Sequence, residues 1–321
     1  MSRMLLVLLS ACALLPAGEL LRYEGSLDAM GTSFGVVLYG RDANRLRSAA
    51  DQAFEEVRRL ESMLSNYRRE SEWSEVNRNA ADQPVVVSDE LFRLLSECLN
   101  YSRKSEETFD ITVGPLMKLW GFYKGSGRIP HRAEIRVVMS RVGYQNVLLD
   151  PERKTVRFAR KGVEIDPGGI GKGYAVDQMV AILKANGIES ALITAGGSSI
   201  YAMGAPPGEK GWTVKIRHPK KHEEAIQQVV LRNESMSTSG SYEKFFRSGR
   251  RIYSHIMDPR TGYPAQGAVS VSVIAPRTLD SEAWTKPYFI LGKQWTARNK
   301  PKDFKVYFCE EKTDLACAWL R

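Results

Sequence analysis

The segment Asp166-Pro167-Gly168-Gly169-Ile170-Gly171-Lys172-Gly173-Tyr174-Ala175-Val176-Asp177 concentrates residue types that handle anions. The pattern predicts a strand that delivers an acid into a glycine run and a helix that leaves it. Glycines let backbone N–H groups approach an anion closely, and a helix N-terminus favours negative charge. Lys172 adds a mobile cation suited to phosphate. The segment is not a Walker A loop: Asp166 stands where that motif needs its first glycine, and Gly173 where it needs Ser or Thr. Nor is it the dinucleotide Gly-x-Gly-x-x-Gly, since the glycines fall at 169, 171 and 173. On glycine content alone, a tight strand-to-helix turn with a surface lysine is an equal reading.

The flanking pattern must hold this turn in place. Residues 20–40 read as two short strands around 28–32, with Phe34, Val36 and Leu38 on one face. Residues 43–65 have helical spacing through Leu46, Ala49, Ala53, Val57, Leu60 and Leu64. Ser88 and Asp89 cap a helix running to about Lys104. A short helical segment is expected at 112–121 and a Gly-rich loop at 123–130. Strands are expected at 147–150, 155–158 and 162–166, then a helix over 173–185 and a buried strand at 191–194. Further strands are expected at 212–216, 227–231 and 268–274. Residues 280–291 are apolar-periodic but interrupted by Pro287, and the chain ends in a strand at 305–309 and a short tail. Strands and helices mix without βαβ regularity, so the fold class is α+β.

These segments together resemble one family. The glycine segment is similar to the Asp-x-Gly-Gly-Ile-x-Lys-Gly-x-Ala-x-Asp signature of the ApbE family of flavin transferases. Ala29-Met30-Gly31-Thr32 resembles the family's opening Met-Gly-Thr. Leu64-Ser65-Asn66-Tyr67, Ser71-Glu72 and Val76-Asn77 follow in the family's order, then Thr108-Phe109-Asp110, Gly114-Pro115-Leu116 and Leu119-Trp120-Gly121-Phe122. Ala195-Gly196-Gly197, Thr238-Ser239-Gly240 with Tyr242, and Ser254-His255-Ile256-Met257-Asp258-Pro259-Arg260-Thr261-Gly262-Tyr263-Pro264 complete the set. The resemblance runs from about residue 27 to 292, and its order makes it specific.

It implies a T-fold-like α+β architecture of mixed helices and a largely antiparallel sheet, with a cleft for FAD. It also implies a reaction: FAD, usually with Mg²⁺, is split at its pyrophosphate, FMN passes to a Thr or Ser of a partner flavoprotein, and AMP leaves. Met30, Tyr67, Thr108, Phe109, Asp110, Asp166 and Ile256 match positions that line the flavin or adenine pockets, with Lys172 on the phosphates. Met, Tyr, Phe and Ile are equally ordinary core residues. The nucleophile is a neutral hydroxyl, so a base helps. His255 is the candidate, because an imidazole of ordinary pKa about 6.5 is largely neutral above that pH. His131, His218 and His222 sit among Pro, Arg and Lys in loop-like surroundings.

Two places depart from the family. Ser198 follows Gly196-Gly197 where an acid is usual. In the metal segment, an Asp and a Thr normally join the carbonyl at Gly169 on Mg²⁺, but Glu282 and Lys286 stand in their places. Mg²⁺ takes oxygen ligands, and an ammonium cannot coordinate it. Shifting the alignment by one residue offers Thr285 but displaces Glu282. Glu282 and Lys286 are four apart, in the order of a helical ion pair. One expectation is an ammonium, held by Glu282, that does part of the metal's work. The other is a plain surface pair moved aside by Pro287. The transferase therefore stands beside two alternatives: a protein that binds FAD without turning it over, and an FAD pyrophosphatase that uses water.

Composition bounds the rest. The 321 residues are 43% hydrophobic and 26% charged with a formal net charge of +9, an ordinary globular balance. The charges are scattered and no nucleic-acid-reading motif appears, so nucleic acid is not an expected partner. Arg3, the apolar run 4–9 and Leu9-Ser10-Ala11-Cys12 describe an export signal. The four residues resemble a bacterial lipobox, so residues 1–19 are expected to be a lipoprotein signal and linker. Cys12 would then anchor a single domain, 20–321, to the membrane, facing the periplasm or cell exterior. The competing reading is an ordinary cleaved signal with an incidental cysteine. Cys98 lies in an apolar helical pattern, and Cys309 and Cys317 are free to pair in an oxidising compartment.

Overall fold

In the computed structural model, which describes residues 20–221, 223–249, 251–311 and 314–321, the strand alternation turns into a sheet with both faces covered. Phe34, Val36 and Leu38 enter the main core, while Val37 and Tyr39 on the alternate positions face a second one. Eight strands lie side by side in chain order: Leu21–Ala29, Thr32–Gly40, Ser190–Ala195, Ser199–Met203, Glu234–Gly240, Ala268–Ala275, Lys305–Glu311 and Leu315–Leu320. Every neighbouring pair is antiparallel. The architecture is α+β, as expected. The expected signal and Cys12 lie outside the described residues, as does His222.

Among the described residues seven α-helices accompany this sheet: α1 (Ala43–Leu64), α2 (Glu72–Asn79), α3 (Asp89–Lys104), α4 (Gly114–Leu119), α5 (Arg132–Met139), α6 (Gly171–Ala185) and α7 (Thr278–Asn299). α1, α6 and α7 cover one sheet face. The apolar stripe of α1, including Leu46, Val57 and Leu60, is buried there, each such side chain contributing about 1.5–3 kcal/mol. A hairpin of Trp212–Arg217 and Ala225–Leu231 covers the other face with Trp212, Val214, Ile216 and Leu231. Ser88 caps α3 by accepting from the Leu91 amide, as its sequence predicts.

The structure corrects several expectations. Residues 162–166 join no sheet; side chains hold them instead, as described below. The tail after Cys309 is a strand, Leu315–Leu320, bonded to Lys305–Glu311, and Cys309 faces Cys317 across that pair in a disulfide. Cys98 is buried and free. Pro287 does not end α7, and the backbone leaves helical geometry only at Gly292. Packing of Leu279, Ala283, Tyr288 and Phe289 into the core outweighs the one hydrogen bond that proline removes. The strand Glu234–Gly240 escapes prediction because serines replace its apolar alternation. Their hydroxyls face α7 instead: Ser237 Oγ meets Ser281 Oγ at 2.8 Å and Ser239 Oγ meets Thr285 Oγ1 at 2.7 Å.

Candidate active site at the glycine turn

The segment entering the turn is fixed by α2. The Asn77 side chain brackets Ile165, accepting from its amide at 2.8 Å and donating to its carbonyl at 3.0 Å. Trp73 Nε1 donates to the same carbonyl at 3.0 Å. The Asp166 amide then donates to Ile111 O at 2.7 Å. The Asp166 carboxylate accepts from the Gly168 amide at 2.7 Å, from Asn66 Nδ2 at 3.0 Å and from the Tyr123 hydroxyl. Burial and that carboxylate push the Tyr123 phenol up. Asp166 thus shapes the turn, with its lone pairs largely engaged inside the chain.

Beyond the turn, α6 and α7 are locked together by the signature itself. A Cβ on Gly173 would lie 2.6 Å from Thr278 O and 2.9 Å from Glu282 Oε2, so only glycine lets the helices approach this closely. Asp177 caps α7, accepting from the Thr278 amide at 2.7 Å and the Leu279 amide at 2.9 Å. Sequence reading gave Asp177 no role; its capping partner lies about a hundred residues away and no local pattern shows it.

α7 carries Glu282 and Lys286 to the turn, but the helical ion pair expected between them is absent. The Glu282 carboxylate is 2% exposed and points at the N-terminus of α6. It accepts from Lys172 Nζ at 2.8 Å and from the Gly173 amide. Lys172 is therefore held, not mobile. Lys286 Nζ bends back to two backbone carbonyls, Glu282 O at 2.9 Å and Gly169 O at 3.3 Å. The surface-pair reading also fails, because Glu282 is buried and Lys286 is half-buried. Burial works to raise the Glu282 carboxyl, but Lys172, Lys286 and the Gly173 amide outweigh it and hold it below the usual range. Burial lowers the Lys286 ammonium to about 8, against the pull of Glu282. With two ammonium groups and one carboxylate, the cluster carries a net charge of +1 when all three are ionised.

His255 reaches this cluster between two small hairpins. One pairs Phe245–Ser248 with Arg251–Ser254; the other pairs Met257–Asp258 with Tyr263–Pro264. Trp120 Nε1 anchors the second by donating to Gly262 O at 2.9 Å. His255 Nδ1 lies 3.1 Å from Lys244 O. A carbonyl only accepts, so Nδ1 carries the proton and Nε2 holds a free lone pair. Burial, aided by the charges of Lys286, Lys244 and Lys172, lowers the imidazole to about 4. It is a neutral base at physiological pH.

The other predicted residues divide. Phe109 walls the turn: a Cβ on Gly169 would lie 3.4 Å from its Cε2 and 3.7 Å from Lys286 Cε. Tyr67, beside Asn66, is 83% exposed and leaves a ring face free. Met30 sits at φ 51° in the first hairpin turn, its amide held by Glu61 Oε1 at 2.6 Å. Ile256 is buried in the main core. The Thr108 hydroxyl turns inward to Ser105 O at 2.6 Å. Asp110 Oδ1 accepts from the Thr112 amide and hydroxyl, both at 2.7 Å, and Oδ2 is buried without a partner. Burial raises that carboxyl to about 6.

The residues do not fit a Mg²⁺ site. Of the expected positions, Gly169 offers a carbonyl that an ammonium already occupies, Glu282 is taken by Lys172 and Gly173, and Lys286 has no lone pair when charged. Thr285 does not substitute: its hydroxyl is buried against Glu282 O and Ser239 Oγ.

An α+β sheet protein with a lysine-lined glycine turn and a neutral imidazole beside it is a protein built around a phosphorylated ligand. The chain belongs to the ApbE family, whose pattern it matches over residues 30–308. It is 32% identical over 299 residues to an FAD:protein FMN transferase of Klebsiella pneumoniae, covering 91% of this chain and 90% of that protein. It is 33% identical over 279 residues to one of Treponema pallidum, covering 82% and 77%. The ApbE protein of Thermotoga maritima superposes with a TM-score of 0.85 at 30% identity, over 92% of this chain and 96% of that one.

Proposed function

We propose that this chain is an FAD:protein FMN transferase, in which Lys172 and the glycine turn bind the FAD pyrophosphate and His255 is the general base. The observation that carries the reading is the neutral His255, with Nε2 left unpaired among the described residues, beside a partly buried cluster of net positive charge. In the reaction, the acceptor Thr or Ser oxygen attacks the FMN phosphorus and its proton passes to His255 Nε2. A new P–O ester bond forms as the bond from that phosphorus to the bridging oxygen breaks. The electron pair leaves with the bridging oxygen as AMP. Lys172, held by Glu282, offsets charge on the phosphate oxygens. Tyr67 offers exposed ring surface to a planar end of FAD, while Phe109, buried in the core, backs the glycine turn; the family resemblance assigns Met30, Asp110 and Ile256 to the surrounding wall.

Incubating the purified chain with FAD and a flavoprotein bearing a Thr/Ser flavinylation site tests this. We expect AMP and covalently flavinylated acceptor in equal amounts. AMP with free FMN would mean a pyrophosphatase, and intact bound FAD a binder; either result rejects the transferase.

The same proposal places the chain outside the cytoplasm, anchored through a lipidated Cys12. The Cys309–Cys317 disulfide supports an oxidising compartment. Among the described residues no helix is long and apolar enough to cross a membrane. Mass spectrometry of membrane-fraction protein should find a mature N-terminus at a diacylated Cys12. A chain that keeps Met1 and stays unmodified would overturn the assignment.

A further inference from the structure

We propose that the Lys286 ammonium is a built-in replacement for a divalent cation, binding the FAD pyrophosphate directly, so that this chain binds FAD without a metal. The inference rests on the transferase reading for the identity of its ligand. Its geometric basis is independent of that reading.

Two backbone carbonyls, Gly169 O and Glu282 O, converge on Lys286 Nζ. Carbonyl oxygens are the donors a hard cation seeks, and here an ammonium has taken them. An ammonium has three N–H donors. Two are used, and among the described residues no further partner of Nζ is found, which leaves one donor for a ligand. Lys286 is half-buried, and the charges bearing on it are those of Glu282 and Lys172. Glu282 has already given its carboxylate to Lys172 and the Gly173 amide. One positive charge of the cluster therefore lacks a protein counter-charge. A partly desolvated surplus of positive charge at the start of α6 calls for an anion from outside the chain.

The same contacts work against a second cation. A metal at the Gly169 carbonyl would share that oxygen with the ammonium and face its like charge at short range. It would also find the Glu282 carboxylate engaged. Glu282 reaches across to α6, and Lys286 fills the space beside the turn. As the P–O bond breaks, negative charge grows on the bridging oxygen that leaves with AMP. A fixed ammonium at the turn can stabilise it, with one charge where a divalent ion has two.

The test measures FAD affinity of the full-length chain, by quenching of flavin fluorescence, in EDTA and in millimolar Mg²⁺. AMP release is followed in parallel. For the parent, affinity in the two media should agree within about 2-fold. Lys286→Met should weaken FAD binding by about 10- to 100-fold, the loss of one charge-assisted phosphate contact, and Mg²⁺ should not restore it. The double variant Glu282→Asp/Lys286→Thr should become Mg²⁺-responsive by about 10-fold or more. If parent affinity falls about 10-fold in EDTA, or if folded Lys286→Met binds FAD as tightly as the parent, the proposal is overturned. The parent comparison decides the matter even where a variant fails to fold. If FAD binds as predicted but no AMP appears with any acceptor, the transferase reading fails while the role of Lys286 stands.

Discussion

Replacing His255 with alanine should reduce FMN transfer by about 10²–10⁴-fold, the usual contribution of a positioned general base, while FAD affinity changes little. The imidazole donates through Nδ1 to Lys244 O, which leaves Nε2 without a protein partner among the described residues, and in the proposed mechanism the phosphates are held by Lys172 and the turn. The pH dependence separates a base from a merely structural histidine. Burial and three nearby lysines, 286, 244 and 172, lower its pKa to about 4. Because kcat/KM reports the free enzyme, its acidic limb should fall near pH 4 and not near 6.5. The sign for stability follows. The unfolded imidazole binds a proton near pH 6.5 and the folded one only near 4, so the unfolded state holds more protons between these values. Stability should fall as pH drops through that window, by roughly 1–3 kcal/mol in all, and His255→Gln should lack this component. A His255→Ala chain that flavinylates at the parental rate, or a limb that stays at pH 6.5, would remove His255 from the chemistry.

Where side-chain period and capping are local, the sequence was legible. The α1 stripe, the Ser88 cap of α3 and the alternation of Phe34, Val36 and Leu38 all appear where they were expected. The glycine turn into α6 was legible because glycines, lysine and helix start are contiguous. What was hidden depends on partners distant in sequence. Residues 162–166 look like a strand because they are extended, yet their bonds go to Asn77, Trp73 and Ile111. The strand Glu234–Gly240 hides behind its serines, which satisfy α7 hydroxyls rather than fill an apolar core. Glu282 and Lys286 were identified as an altered metal position, but their spacing suggested a mutual pair. Only the close approach of α6, permitted by Gly173 and fixed by Asp177, gives Glu282 the better partners. The order of these residues along the chain was therefore readable, and their pairing was not.

Glu282→Gln is expected to destabilise the free chain by about 3 kcal/mol, because breaking a buried ion pair leaves the remaining charge uncompensated. The carboxylate accepts on both sides, from Lys172 Nζ through Oε1 and from the Gly173 amide through Oε2. An amide of the same size accepts on one side only, so its NH₂ must face a donor, either the Lys172 ammonium or the Gly173 N–H. Full burial would push the cost toward about 5 kcal/mol, but the Lys172 side chain keeps 26% of its surface in solvent, which screens part of the loss. In thermal unfolding the variant should melt roughly 5–10 °C below the parent. Adding Lys172→Met should recover part of that, since the second change removes one of the stranded charges. FAD supplies the opposite check. Removing the carboxylate takes the cluster from a net +1 to +2, so an anionic pyrophosphate should stabilise Glu282→Gln by a larger increment than it stabilises the parent. A variant that melts with the parent would mean that the Lys172–Glu282 bridge does not hold α6 against α7. A variant that melts early but gains no more from FAD than the parent would place the bound phosphates away from both lysines.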